Sequence, residues 1–407
     1  MDIITSRINV MLISPVMPYD LKRQIKPELL ELAEKVCIES AKIASGYNQH
    51  VVNAFRDVLR ITNSYYSNRI EAESTHPIDI EKAMLKKFSE DSNQKALQEL
   101  SVAHIKTQEF VENYASEHNV IDRNFIKEIH RLFYSSEGME KFTKLEQDDE
   151  IIKIIPGEFR NRDVQVGRHI APSSDVINAV FNYYEKEYSS VFNSSTKAIK
   201  LLAALSSHHR FVYLHPFLDG NGRVSRLHLD AMFWSMKLEG YGLWNISRGF
   251  ARDVKEYQNY LSYADMKQQG ATDGRGELSL RGLEGYLQYM LETALDQIEF
   301  MGNGLRLDQL NDKMRKYVKF SQEGMFYKQE PLPKYSELLF SHLLLNGELE
   351  RKYVPSAIGK SVSTATKLVS TLTKMGYIQS EHSKAPLRLK VNSFFASQII
   401  PELIPQL

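Results

Sequence analysis

His215-Pro216-Phe217-Leu218-Asp219-Gly220-Asn221-Gly222-Arg223-Val224-Ser225-Arg226 is the stretch that decides how this chain is read. Gly220 and Gly222 flank Asn221 directly before an apolar-periodic run that reads as a helix. Glycines there let the backbone approach a ligand, and a helix N-terminus presents unpaired amides at the positive end of its dipole, which makes an anion site. Arg223 and Arg226 stand at i and i+3, so both side chains leave one face of the first turn. Guanidinium groups so placed suit a polyphosphate, because each can bind phosphate oxygens through two parallel bonds. Asp219 adds a hard carboxylate oxygen that can share a magnesium ion with phosphate and water. His215 titrates near neutral pH, as a general base for a hydroxyl nucleophile should. Taken singly, a histidine before proline or an Arg-x-x-Arg pair is an ordinary structural feature. Gathered into one loop, they describe a catalytic phosphate site.

The rest of the composition bounds the reading. Across 407 residues, 51 Lys and Arg balance 51 Asp and Glu, so phosphate binding must come from local clustering. The length allows two or three domains. The single cysteine, Cys37, excludes an intrachain disulfide framework and a multi-cysteine zinc site. It lies in an apolar-periodic stretch and reads as a buried core thiol. Residues 8–18 lack the long apolar centre and cleavage site of a leader. No run approaches the roughly 18 apolar residues of a membrane span. A cytoplasmic protein with no membrane partner is expected.

Working outward from the loop, apolar residues recur at three and four, predicting a mainly α fold. Helices are expected from residue 27, over 51–71, 93–117, 122–134, 175–187, 196–213, 223–238, 253–267 and 279–302. A break falls at Ser74-Thr75-His76-Pro77, with Asp79 placed to cap the next helix. Residues 151–166 alternate around Pro156-Gly157 and suggest a hairpin or extended flap. The glycine-rich piece 270–276 reads as an exposed connection. His208 and His209 are adjacent on one helix and point to different faces, so His209 reads as packing behind the loop rather than as a metal ligand.

Composition shifts again near 322–333. Beyond it, short helices at 335–345 and 354–359 precede a third at 361–375, ended by Gly376. Alternating residues 377–380 and 387–391 then read as two strands, and the order resembles a winged helix-turn-helix. The expected organisation is an N-terminal helical region 1–95, a catalytic domain 96–305, a connecting segment 306–333 and the winged helix-turn-helix 334–407. This last module is locally basic, with Lys334, Arg351, Lys352, Lys360, Lys367, Lys374, Lys384, Arg388 and Lys390 against Glu337, Glu348, Glu350 and Glu381. DNA is a candidate partner, with helix 361–375 as the reader. Winged helices also serve protein contacts.

The loop from His215 to Arg226 resembles the Fic motif, H-P-F-x-[D/E]-G-N-G-[R/K]-x-x-R, at every fixed position. Residues 203–214, including His209 and Phe211, are similar to the helix that precedes it in that family. The resemblance spans roughly residues 60–300. It implies a Fic-type helical bundle with a small β-hairpin flap, moving AMP from magnesium-ATP to a serine, threonine or tyrosine of a protein. It gives His215 the target proton and Asp219 the magnesium ion. Gly220, Asn221 and Gly222 are to bind the α- and β-phosphates, and Arg223 and Arg226 the β- and γ-phosphates. Residues 156–167 resemble the family's flap, where Asp163, Val164, Gln165 and Val166 would hold the target as an added strand. Pro172 is followed by Ser173, where the family often has a second proline.

Ser67-Asn68-Arg69-Ile70-Glu71 resembles the family's inhibitory motif, [S/T]-x-x-x-E-[G/N], with Ala72 in place of glycine or asparagine. The resemblance implies that Ser67 and Glu71 are inhibitory, Glu71 pairing with Arg226 against the γ-phosphate. Ala72 is expected to leave the helix end less sharply broken than usual. Relatives also remove AMP or transfer UMP, phosphate or phosphocholine, and those activities stay open. So does a DNA-binding regulator that uses the Fic site as a nucleotide sensor. A homodimer is expected by resemblance alone.

Overall fold

The structure is a computed structural model and describes residues 25–147, 150–274 and 277–405. Residues 8–18, read above for a leader, lie outside the described residues, as do residues 275 and 276 of the glycine-rich piece. Helices form where the periodicity places them. The first are α1 (Pro27–Ala44), α2 (Gln49–Ile70), α3 (Pro77–Met84), α4 (Ser92–Tyr114) and α5 (Arg123–Tyr134). Side-chain caps start α2, α4 and α5, where Asn48, Asp91 and Asp122 accept orphan amides of the first turn. α3 corrects the reading of Asp79. His76 is its cap, accepting from the Ile78 amide at 3.3 Å, because Pro77 already fixes the first helical position. Asp79 instead accepts from Lys82 on the helix surface.

Two hairpins follow. β1 (Lys144–Gln147) pairs antiparallel with β2 (Glu150–Lys153), and β3 (Gln165–Val166) pairs antiparallel with β4 (His169–Ile170). Residues 151–166 are therefore not one hairpin; they join two. Pro156-Gly157 turns the chain onto α5, where the Gly157 amide donates to His130 Nδ1 at 2.8 Å. Gly157 has φ +83°, which only glycine adopts without cost.

The bundle is completed by α6 (Ile177–Ser194), α7 (Lys197–Leu214), α8 (Asn221–Ser235), α9 (Ile246–Arg252), α10 (Val254–Ala264) and α11 (Leu280–Gly304). α7 and α8 are its centre, with Leu201, Leu205, Phe211, Val224, Leu227 and Phe233 all excluded from solvent. His208 and His209 are buried as well. His208 meets the Ser225 carbonyl and the Tyr257 hydroxyl, while His209 meets the Leu261 carbonyl and Asp265. Cys37 is only half-buried against the core, and burial pushes its thiol up to about 11.

Residues 306–333 hold α12 (Leu307–Gln322) as well as a connection. Leu310, Met314, Tyr317 and Val318 recur at helical spacing and are buried, a signal present in the sequence and passed over. Next come α13 (Ser336–Asn346), β5 (Glu348–Leu349), α14 (Val354–Ile358), α15 (Val362–Lys374), β6 (Ile378–Gln379), β7 (Leu387–Leu389) and α16 (Ser393–Ile399). The strands form an antiparallel sheet in the order β5-β7-β6. β5 has two residues, too few for a periodic signal. Gly376, at φ +80°, closes α15, and the Tyr377 amide returns to the Leu372 carbonyl at 3.0 Å. One continuous apolar core runs from Leu29 to Ile404, so the last module packs on the same interior as the bundle. Among the described residues, no helix is long and apolar enough to cross a membrane.

Candidate active site

The loop that joins α7 to α8 is built on two left-handed residues. His215 caps α7 at φ +47°, and Gly220 opens α8 at φ +77°. For histidine that conformation costs on the order of 1 kcal/mol, so the surroundings must hold it. Arg160 does so from the flap. It is 3% exposed and donates Nε to the His215 carbonyl at 2.7 Å and Nη2 to Leu214 and Pro172 carbonyls. Its own amide donates to the Pro216 carbonyl at 2.9 Å. Sequence reading did not single out Arg160, because nothing in the local pattern separates a buried arginine from its exposed neighbour Arg162.

Asn221 braces the loop from the other side. Its side chain accepts from the Phe217 amide at 2.9 Å and donates to the Phe217 carbonyl at 2.8 Å. Its carboxamide is thereby committed, and what Asn221 offers a phosphate is its backbone N–H. The amides of Asn221, Gly222 and Arg223 are the first three of α8 and have no intrahelical acceptor. The Phe217 ring stacks on His130, centroids 4.0 Å apart, which fixes the floor of the loop.

The His215 ring is set for one proton transfer. Nδ1 faces the Val212 carbonyl at 3.3 Å, and a carbonyl only accepts, so Nδ1 carries the hydrogen and Nε2 keeps its lone pair. Burial, helped by the positive charges of His169 and Arg160 and opposed by the Val212 bond and the Glu71 charge, leaves the imidazole at about 4, so it is neutral at pH 7. Asp219 is half-exposed at the loop and accepts from the Tyr134 hydroxyl at 2.5 Å, with Arg223 Nη2 at 3.6 Å. Burial and the Asp219 charge hold the Tyr134 phenol well above its ordinary range, so it stays a donor.

Both arginines of the loop are occupied. Arg226, 3% exposed, donates Nε to Ser67 Oγ at 2.9 Å, and Nη2 to the Ser67 carbonyl at 2.9 Å and Glu71 Oε1 at 2.7 Å. Arg223 donates Nη1 to Glu73 Oε2 at 2.7 Å. Glu73 was not singled out in the sequence, although it stands only two residues beyond Glu71. The Glu71 carboxylate lies against the first turn of α8, where a methyl group on Gly222 would stand 2.2 Å from its Oε1. An anion already sits beside the amides and guanidinium groups that a phosphate would use.

Ala72 departs from expectation. The helix end is sharply broken: Ala72 takes φ +59°, its amide returns to the Arg69 carbonyl at 3.0 Å, and the Glu73 amide returns to the Asn68 carbonyl at 3.0 Å. These paired bonds are the Schellman closure, which demands a left-handed residue whatever its side chain. Alanine bears the strain that glycine would avoid. Ala72→Gly is therefore expected to raise unfolding free energy by about 1 kcal/mol. Urea unfolding checks this, and an unchanged or lower midpoint would contradict the left-handed assignment.

The flap is distributed differently from its reading. Asp163 turns away from the β3 edge and accepts from the Ser174 amide at 2.7 Å and Ser173 Oγ at 3.2 Å, so the serine that replaces a second proline anchors the flap root. The Val164 carbonyl accepts from Ala171. Gln165 and Val166 are exposed, and among the described residues the outer edge of β3 has no strand partner. Behind β4, His169 Nε2 donates to the Tyr213 carbonyl at 2.8 Å and Nδ1 stands 3.3 Å from Asp265. Burial lowers the His169 pKa, but the Asp265 carboxylate outweighs it and the ring ends above its ordinary value.

Residues 120–233 match the sequence model of the Fic/DOC family. Proteins named "Protein adenylyltransferase Fic" from Drosophila willistoni and Drosophila melanogaster are each 36% identical to this chain over 76 residues. That stretch is 19% of this chain and 15% of each relative's length. Among solved structures, a Fic family protein from Desulfovibrio desulfuricans G20 superposes on 91% of this chain and 98% of its own, with a TM-score of 0.51 at 16% identity. A Fic domain containing signaling protein from Bacteroides thetaiotaomicron covers 67% of this chain and 95% of its own, with a TM-score of 0.50 at 19% identity. These two likenesses concern the fold alone. The loop, its two arginines and the two helices it joins thus lie within the stretch, residues 120–233, that matches the Fic/DOC family model.

Proposed function

We propose that the chain is a protein adenylyltransferase, moving AMP from ATP to a hydroxyl of a target protein, and that Glu71 holds it inhibited. The observation that carries this reading is a neutral His215, its Nε2 without a hydrogen-bond partner among the described residues, beside a helix N-terminus flanked by Arg223 and Arg226. The activity for which the Drosophila relatives are named supports it. In the reaction, the target oxygen bonds to the α-phosphorus, the bond to the bridging oxygen breaks, and pyrophosphate leaves. His215 Nε2 takes the hydroxyl proton. The α8 amides and both arginines bind the phosphates and neutralise the charge that develops on the leaving group. A magnesium ion, when bound, would screen phosphate charge as a Lewis acid. Asp219 fits it as a single hard oxygen ligand, since magnesium is usually held by one or two carboxylates with phosphate and water. Among the described residues no cluster of three or more His, Cys, Asp or Glu forms a metal cage, so the phosphates would supply the remaining ligands. The exposed β3 edge is the reading for the target, paired through its backbone. Intact-mass spectrometry after incubation with ATP should show added AMP that disappears in His215→Ala.

A second reading concerns the last module, which we read as a winged helix. The groove between α14 and α15 is lined by Arg351, Lys352 and Lys374, and among the described residues by no acidic side chain. Ser363, Thr366, Lys367, Ser370 and Thr373 of α15 are exposed beside it. That surface suits a duplex phosphate backbone. A gel shift at low salt that weakens as salt rises is expected; no shift at low salt would remove the reading.

A further inference from the structure

The segment that carries Glu71 is held from outside the Fic domain. We propose that residues 393–405 are a clasp on this inhibitory segment, that Tyr66, His76 and Arg248 are its positioning residues, and that the switch at Glu71 loosens when the clasp opens. The inference rests on the reading of Glu71 as inhibitory.

Two side chains bracket the segment, and both end on the same stretch of backbone. Tyr66, on α2 immediately before Ser67, is 6% exposed and donates its hydroxyl to the Leu403 carbonyl at 3.0 Å. His76, just beyond the helix end, lies 3.0 Å through Nε2 from the Pro405 carbonyl. Its Nδ1 accepts from the Ile78 amide, so the hydrogen is on Nε2 and the ring is a donor to Pro405. Ser67, Glu71 and Glu73 all lie between these anchors. Arg248 of α9 completes the grip by donating Nε and Nη2 to the Glu402 carbonyl at 3.3 and 3.2 Å. Apolar contact sets the register: Phe395, Ile399, Leu403 and Ile404 are buried, and the Ser393 amide donates to Glu81 of α3 at 2.9 Å.

The clasp is also built to release. Glu402 is held at φ +68°, a left-handed conformation that a non-glycine residue keeps only under restraint. Its carbonyl is where Arg248 and, more weakly, Tyr66 converge. The interface is not sealed: a cleft of about 850 Å³ opens between the two sides, lined by Tyr66, Arg69, His76 and Arg248 and by Phe394 and Glu402. Local opening of such a contact costs less than global unfolding. Moving it frees the helix end, and with it the carboxylates on Arg226 and Arg223.

The test uses the full chain with Tyr66→Phe and His76→Asn together. Phenylalanine keeps the packing of Tyr66 and loses one bond; asparagine still caps α3 but is too short to reach Pro405. With Glu71 and Glu73 present, AMP incorporation should rise about three- to tenfold, the scale of one net hydrogen bond because water replaces part of what the two substitutions remove, while unfolding stays cooperative. In a background with Glu71→Gly and Glu73→Gln together, which removes both carboxylates, the same pair should change nothing. Amides of residues 66–76 should exchange hydrogen faster by a similar factor. An equal rise in both backgrounds, or no rise with unchanged exchange, overturns the clasp. Should no chain transfer AMP, Glu71→Gly included, the adenylyltransferase reading fails instead, and amide exchange alone then decides the clasp.

Discussion

Glu71→Gly is expected to raise AMP incorporation from labelled ATP about tenfold to a hundredfold. The size follows from what Glu71 makes with Arg226: a 2.7 Å charge-assisted bond to a guanidinium that is almost wholly buried. Hydrogen bonds to charged groups contribute about 1.5–3 kcal/mol, and about 1.4 kcal/mol is a factor of ten. The gain should appear mainly when ATP is subsaturating, because Glu71 competes for a phosphate partner and leaves His215 neutral. Glu73 sets an upper limit on that gain. Its 2.7 Å contact with Arg223 survives the substitution, so one of the two phosphate cations stays engaged. Adding Glu73→Gln should therefore lower the KM for ATP again, with little change in kcat. Unchanged incorporation by a folded Glu71→Gly chain would sink the inhibitory role.

The loop was legible in the sequence because its chemistry is contiguous. Glycine, asparagine and two arginines within two turns of a helix start leave little room for another use, and the structure places all of them around one helix N-terminus. Partners brought from afar were not legible. Arg160 and Tyr134 reach the loop from separate elements, and no local pattern marks them. The fate of Ala72 was misjudged for a different reason. Propensity says that alanine continues a helix, but bonds from Ala72 and Glu73 back to Arg69 and Asn68 decide the backbone there. The same limit hid the contacts of residues 393–405. Their apolar residues announce burial, but nothing in the alternation says that the surface they cover is α2.

Replacing His215 with alanine in the Glu71→Gly chain should lower AMP transfer about a hundredfold to ten-thousandfold, the usual range for a positioned general base. Loss of fold is an inadequate rival explanation, since among the described residues the ring makes a single 3.3 Å bond while its backbone is held independently by Arg160. The pH profile separates a base from a merely structural residue. Only the neutral ring can take a proton, and burial puts its pKa near 4. On kcat/KM, which reports the free enzyme, the acid limb should thus fall only as pH drops to about 4 or below, since removing the Glu71 charge lowers the ring further, rather than near the usual histidine value. Bound ATP brings negative charge close to the ring, and a nearby opposite charge favours imidazolium, so the acid limb of kcat should lie at higher pH than that of kcat/KM. In His215→Ala both limbs should vanish together with most of the rate. A folded variant that keeps the parental rate and profile would remove His215 from the chemistry and leave the loop as a phosphate-binding site alone.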